Sequence, residues 1–125
     1  MPKKDMMQII EIPLRVISKK NSRRNFGHVS LPSKAFENFH SLVAEYLLPY
    51  PLHITSAFRI TICYYLKGKY RSDIDACVTS VLDILQDYGV VENDDLCTEV
   101  KATKKGAAYG DPVNKDWSCY IEIRY

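Results

Sequence analysis

The sequence has no apolar run near the roughly 20 residues that a membrane-spanning helix requires. Its N-terminal apolar stretch, which begins at Met6, is interrupted by Glu11 before it reaches the length of a signal-peptide hydrophobic region. These two absences predict an intracellular protein with no membrane partner. A length of 125 residues and a hydrophobic content of 46% are typical of a globular domain, and we expect a single domain over residues 1–125.

The chain also lacks a CxxC pair. Its four cysteines are separated by 14, 20 and 22 residues, and none has a histidine close by in sequence. Structural zinc sites need thiolate or imidazole ligands at short spacings, so this pattern argues against one. In a reducing compartment we expect buried free thiols at all four positions, which are Cys63, Cys77, Cys97 and Cys119.

Basic residues are absent from the segment 73–99, which we call the acidic segment. It holds eight of the fifteen acidic residues, whereas the rest of the chain holds all seventeen Lys and Arg against seven acids. A carboxylate cluster within a basic protein is typical of a metal-dependent enzyme that acts on a polyanion, because carboxylates hold the cation and basic groups hold the phosphates. The alternative is helix capping together with a solvated acidic face.

Apolar and polar residues alternate over 54–67, which predicts a long strand with one buried face. Helical spacing predicts a first helix over 33–48, capped by Ser33. It predicts a second helix that begins at residue 73 or 75 and ends near residue 88, with Gly89 as its stop. The buried face of the long strand carries Phe58, Ile60, Ile62, Tyr64 and Leu66.

The order β-α-β-α-β-β predicts an α+β fold, in which two main helices pack on a mixed sheet. Pro13 assigns the first strand to a sheet edge or a bulge. The remaining elements are strands over 7–17, 96–101 and 117–124, with a basic loop over 18–32 and a mobile loop over 104–115.

Three acidic residues are candidate metal ligands and catalytic residues. Asp73 and Asp75 stand at the expected start of the second helix, and Asp94 follows the turn after it. A return strand beside the helix start would bring all three within ligating distance of one or two Mg²⁺ ions, with Mn²⁺ as the alternative cation. Each residue alone also suits a structural role, Asp73 or Asp75 as a helix N-cap and Asp94 in a turn.

Basic residues are concentrated in loops on both sides of Asp73 and Asp94. Such side chains suit phosphate contacts that position nucleic acid without reading its sequence, although basic runs are also typical of solvated loops. Phe26 and Tyr70 lie in these loops, where they suit either stacking on bases or local packing. The candidate DNA-binding residues are Lys19, Lys20, Arg23, Arg24, Lys67, Lys69, Arg71, Lys101, Lys104 and Lys105.

Most of the chain resembles the RusA-type Holliday junction resolvases. The similar segments are Arg71-Ser-Asp73-Ile-Asp75, then Val81-Leu-Asp83-Ile-Leu85, then Gly89-Val-Val-Glu-Asn-Asp94-Asp95, with a basic loop at Lys19-Lys-Asn-Ser-Arg-Arg. The resemblance implies a homodimeric, Mg²⁺-dependent endodeoxyribonuclease that cuts four-way DNA junctions in recombination and repair. It also implies metal-binding catalytic roles for Asp73, Asp75 and Asp94, and the cytoplasm of a bacterial or phage-infected cell as the location.

Two positions depart from the family pattern. Ala76 stands where the family usually has Asn, and Thr79 stands where it commonly has Lys, one helical turn after Asp75. Lys67, Lys69 or Lys101 is a candidate to supply the missing charge. A junction-binding protein with weak or no cleavage, and a small scaffold domain with an incidental acidic face, are therefore the alternative functions.

Overall fold

The computed structural model describes residues 6–18, 23–26, 29–48, 52–111 and 115–125, with the backbone alone described at 23–26 and 29–32. Two short 3₁₀ turns, Asp94–Leu96 and Ala107–Tyr109, flank the fifth strand. In chain order the strands and helices are β1 (Met7–Ile12), β2 (Arg23–Phe26), β3 (Val29–Pro32), α1 (Lys34–Leu42), α2 (Ala44–Leu47), β4 (Phe58–Tyr65), α3 (Ile74–Asp87), β5 (Cys97–Lys105) and β6 (Ser118–Arg124).

The centre of the fold is a four-stranded sheet with the order β1-β6-β4-β5. β4 pairs in parallel with β5 and antiparallel with β6, and β1 pairs antiparallel with β6. The predicted α+β fold with a mixed sheet is therefore confirmed. β1 lies at a sheet edge and ends directly before Pro13, as expected from the missing N–H of proline.

One face of the sheet forms the core. The alternation in β4 buries its apolar residues, and the register places Ile60 beside Ile123 and Ile62 beside Ile121. Residues of α1, α2 and α3 complete the same cluster, so the helices cover this face. On the opposite face Thr61, Cys63 and Tyr65 are only half-buried.

The two predicted helical regions are confirmed. The Ser33 hydroxyl accepts a hydrogen bond from the Phe36 N–H at 3.0 Å and caps α1, and Val43 separates α1 from α2. Helix α3 ends before Gly89, which has the left-handed φ of +75° that favours glycine. Among the described residues no helix is both long and apolar enough to cross a membrane.

Three predictions about the chain between these elements were wrong. Part of the region 18–32 forms β2 and β3, which pair as an antiparallel hairpin. The first strand ends at Ile12 instead of residue 17. The strand predicted over 96–101 spans Cys97–Lys105, and the turn Ala107–Tyr109 follows it. β5 is an edge strand with mostly exposed side chains, so it lacks the apolar alternation that reveals a half-buried strand.

The cysteine prediction holds in part. All four cysteines are free, and Cys77 and Cys119 are buried, whereas Cys63 and Cys97 are half-buried. The exposed parts of Cys63 and Cys97 follow from their places on the sheet face opposite the helices and at the start of an edge strand.

Tyr64 connects the segment after β1 to the sheet by hydrogen bonds to the Val16 backbone. Its hydroxyl accepts a hydrogen bond from the Val16 N–H at 3.1 Å and lies 3.4 Å from the Val16 carbonyl oxygen, to which it donates. Burial raises the pKa of Tyr64 far above its usual value, so the phenol stays protonated.

We expect Tyr64→Phe to lower the free energy of unfolding by about 1–3 kcal/mol, because it leaves the backbone groups of Val16 buried without their partner. Urea denaturation at neutral pH measures the change. Tyr120→Phe is the matched control, since the Tyr120 hydroxyl donates to the half-buried side chain of Glu122. Equal losses for the two variants would show that the Tyr64 hydroxyl does not fasten this segment.

Candidate functional site

The parallel pairing of β4 and β5 places Asp73 and Lys104 at the same end of the sheet, where both strands finish. β4 ends at Tyr65, which pairs with Lys105, and the chain then passes through an exposed loop to Asp73 at the start of α3. Asp73 occupies the N-cap position, yet its side chain makes no capping hydrogen bond. Its carboxylate and that of Asp75 in the first turn are exposed, so both remain available for a ligand.

Lys104, Tyr109 and Ser72 form a hydrogen-bonded cluster beside Asp73. The Lys104 ammonium donates to the Ser72 carbonyl at 2.5 Å and to the Tyr109 hydroxyl at 3.2 Å. The Tyr109 hydroxyl also accepts from the Ser72 N–H at 3.0 Å. These bonds hold the Lys104 side chain against the loop that carries Asp73.

An open pocket of about 410 Å³ lies at this cluster. Asp73 contributes a negative charge to it, and two basic side chains contribute positive charges, so the pocket has a net positive charge. A carboxylate beside two cations suits a phosphate group together with a hard metal ion. The lining residues are Arg71, Ser72, Asp73, Lys104 and Tyr109.

The surroundings of Tyr109 lower the pKa of its phenol. The hydrogen bond from the Ser72 backbone lowers the pKa of Tyr109 the most, and the Lys104 ammonium lowers it further. The Lys104 ammonium also lies 4.4 Å from the centre of the Tyr109 ring. The phenol oxygen accepts hydrogen bonds from the Ser72 N–H and the Lys104 ammonium, and its O–H donates to the Ser72 carbonyl at 3.3 Å.

Asp94 lies at the opposite end of α3 from Asp73, and the prediction that a return strand brings them together within one chain was wrong. The Asp94 N–H donates to the Gln86 side chain at 2.8 Å. An α-helix rises about 1.5 Å per residue, so residues 74 and 86 are roughly 18 Å apart along the axis. Among the described residues no group of three or more His, Cys, Asp or Glu side chains is arranged to hold a metal ion.

Part of the acidic segment has a structural role. Asp87 bonds the His40 ring at 2.9 Å and thereby links α3 to α1. The Tyr88 hydroxyl contacts the ring and donates to the carbonyl of the same histidine. Asp87 therefore has a structural role that joins two helices. Asp73 and Asp75, in contrast, lie exposed at the start of α3, near the pocket.

An aromatic cluster borders the loop before Asp73. The Arg15 guanidinium lies 5.0 Å from the centre of the Tyr70 ring and 5.2 Å from that of Trp117, and the two rings are 5.2 Å apart. Tyr70 is 53% exposed, so its ring is accessible for stacking. Arg15 also lines a second cavity, of about 280 Å³, together with Ser72.

The structure separates the predicted DNA-binding residues into groups. Lys104 lies on the helix-covered side of β5, because it pairs with Tyr64, whereas Lys101 and Lys105 pair with Thr61 and Tyr65 on the opposite face. Lys101 is therefore a poor source of charge for the Asp73 pocket. Lys67, Lys69 and Arg71 are exposed in the loop before α3, Lys67 lying 3.7 Å from Asp116. Lys19 and Lys20 lie outside the described residues, and Arg23 and Arg24 have only their β2 backbone described.

Sequence reasoning missed Arg15, Tyr109 and Trp117. Arg15 is a lone basic residue after an apolar strand, and Tyr109 lies in a region interpreted as a loop, so neither had a local pattern to mark it. Trp117 was assigned only to the final strand. No protein-family model matches the sequence, and no curated protein is significantly similar to it.

Gly106 sets the position of Tyr109. Its φ is +156°, and a β-carbon at this residue would lie 2.6 Å from the Leu66 carbonyl oxygen. The Gly106 carbonyl accepts hydrogen bonds from the N–H groups of Tyr109 and Asp111, which close the turn. Only glycine permits this close approach of β5 to the end of β4.

We expect Gly106→Ala to lower the free energy of unfolding by about 3 kcal/mol or more, because steric overlap adds to backbone strain. Gly110→Ala is the control: its φ is +82° but no atom lies within 4 Å of the added carbon, so strain alone costs about 1 kcal/mol. Urea denaturation gives both values, and the ring-proton shifts of Tyr109 report its displacement. The assignment fails if Gly106→Ala costs no more than Gly110→Ala and leaves these shifts unchanged.

Proposed function

We propose that this protein is a Mg²⁺-dependent endodeoxyribonuclease that resolves four-way DNA junctions. The observation that carries the proposal is the pocket in which the Asp73 carboxylate, free of any capping bond, lies beside Arg71 and Lys104. Hydrolysis of a phosphodiester needs this combination, because carboxylate oxygens hold a hard cation and basic groups hold the phosphate. The resemblance of residues 71–95 to junction resolvases supports the choice of substrate.

Asp73 and Asp75 would hold the metal ion, since Mg²⁺ in phosphoryl-transfer sites commonly takes one or two carboxylates and completes its shell with water and phosphate oxygens. The bound ion supplies polarisation of the phosphate and activation of water. Arg71 and Lys104 fix the phosphate, and the exposed loop with Lys67 and Lys69 contacts neighbouring phosphates of the same arm.

Asp94 takes part from a second copy of the chain. The roughly 18 Å of helix between the two ends of α3 keeps it from the Asp73 pocket of its own chain. In a two-fold dimer that set the Asp94 end of one protomer against the Asp73 end of its partner, this contact would occur twice and give two equal sites. Two equal sites suit a four-way junction, whose resolution requires two symmetric nicks.

We expect Asp73→Asn, Asp75→Asn and Asp94→Asn each to abolish Mg²⁺-dependent nicking of a labelled four-way junction while leaving gel-shift binding intact. The reason is that each removes a ligand charge and leaves the phosphate contacts in place. Refolding an equal mixture of the Asp73→Asn and Asp94→Asn chains should restore about a quarter of the wild-type sites, as single nicks only, because half the dimers then carry one intact site.

A mixture of Asp73→Asn with Asp75→Asn is the matched control, since those two ligands come from the same chain and no dimer regains a complete site. If the first mixture nicks no faster than this control, the two chains do not share a site. If the Asp94→Asn chain alone nicks at the wild-type rate, Asp94 has only a structural role in its turn. If two of the three single variants nick at the wild-type rate, the assignment of these residues as metal ligands is wrong.

Junction binding without cleavage is the second candidate. Thr79, exposed one turn after Asp75 on α3, supplies no charge at this position. Such a protein would bind a four-way junction more tightly than a linear duplex, with a steep salt dependence from released counterions, yet would not nick it with Mg²⁺ present. A scaffold domain would show no preference for branched DNA at any salt concentration.

A further inference from the structure

We infer that Lys104, Arg71 and Tyr109 form a discrete subsite for one phosphate group of a nucleic-acid strand, with Tyr109 as the residue that positions Lys104. The inference deepens the proposed function, on which it rests for the identity of the anion as a DNA phosphodiester. It concerns the Asp73 pocket, where the two cations, the phenol and the Asp73 carboxylate meet.

Lys104 is held in place yet keeps capacity for a ligand. An ammonium group has three donors, and the Ser72 carbonyl and the Tyr109 hydroxyl take two of them. Both partners are neutral groups, so neither bond neutralises the ammonium charge. An already ordered side chain loses less conformational entropy when it binds an anion than a free surface lysine does.

Tyr109 supports Lys104 in two ways. Its hydroxyl accepts from the ammonium, and its ring lies 4.4 Å from the same nitrogen, a distance typical of a cation–π contact. The ring is itself fixed by the bond from the Ser72 N–H, at 3.0 Å, and by the turn that Gly106 permits. A phenylalanine would keep the ring contact and lose the hydroxyl.

The neighbouring lysine makes the assignment specific. Lys105 is the next residue on β5 but lies on the other face of the sheet, where it contacts the Tyr65 ring at 5.8 Å. The two side chains share a strand and a charge but lie on opposite faces of the sheet, and only Lys104 lines the Asp73 pocket. Lys105→Ala is therefore the matched control for Lys104→Ala.

The first arm of the test measures anion binding in the absence of metal. Inorganic phosphate is titrated in EDTA and followed by the amide and side-chain NMR signals of Arg71, Ser72, Lys104 and Tyr109. We expect saturable shifts for the wild type and Lys105→Ala, and at least tenfold weaker binding for Lys104→Ala. Lys104→Met, which keeps the aliphatic stem, repeats the measurement if the alanine variant unfolds. Equal binding by Lys104→Met and Lys105→Ala would overturn the subsite.

The second arm measures nicking of a labelled four-way junction with Mg²⁺. Loss of a positive charge beside the reacting phosphate lowers kcat by about 100-fold or more. We therefore expect this loss of kcat for Lys104→Ala, with a smaller change in KM. Lys104→Arg should recover part of the rate. Tyr109→Phe should lose about tenfold, the equivalent of one hydrogen bond, with its free energy of unfolding nearly unchanged.

The two arms distinguish this inference from the proposed function. Phosphate binding that depends on Lys104, in a protein that never nicks a junction, would uphold the subsite and overturn the nuclease. Nicking that is equally fast in Lys104→Ala and Lys105→Ala would uphold the nuclease and overturn the subsite. A rate loss in Tyr109→Phe that Lys104→Ala does not share would overturn the positioning role.

Discussion

The parallel pairing of β4 with β5 is the constraint on which the rest of the structure depends. Two parallel neighbours cannot be joined by a tight turn, so the chain must cross back over the sheet, and α3 is that crossover. The crossover begins at the end of the sheet where β4 and β5 both finish, and it returns to the end where both strands start. Asp73 and Lys104 therefore lie at the same end of the sheet, and Asp94 lies at the opposite end.

The same constraint divides the acidic segment into parts with different roles. Asp73 lies exposed beside the pocket cations, and Asp75 lies exposed in the first turn of α3. Asp87 bonds His40 and joins two helices, and Asp94 begins the turn that leads into β5. A run of like charge in the sequence is thus distributed along about 20 Å of helix, which limits the local repulsion between its members.

The sequence was most informative where one face of an element is buried. The alternation in β4 and the helical spacing of α1 and α3 each reflect burial against the core. The helical regions were therefore predicted close to their bounds, whereas β4 is Phe58–Tyr65 and shorter than the predicted 54–67. β5 and the β2–β3 hairpin lack this signal, because β5 exposes most of its side chains and the hairpin segment is rich in basic and polar residues.

The candidate site was predictable in part for a similar reason. Asp73, Asp75 and Arg71 are adjacent in sequence, and a local pattern marks them. Tyr109 reaches Ser72 across 37 residues, and only the approach of β5 to the β4 loop brings them together. The position of Asp94 was misjudged because its distance from Asp73 depends on the strand direction, which no local pattern reveals.

We propose that the Asp73 end of α3 binds a divalent cation together with Asp94 of a second copy of the chain. Substoichiometric Mn²⁺ added to the ¹⁵N-labelled protein tests it most directly, because the paramagnetic ion broadens amide signals near its site. We expect selective broadening of residues 72–76 together with residues 93–96, although these two segments lie at opposite ends of α3 within one chain. Broadening centred on residues 83–87, or none that is selective, would contradict it.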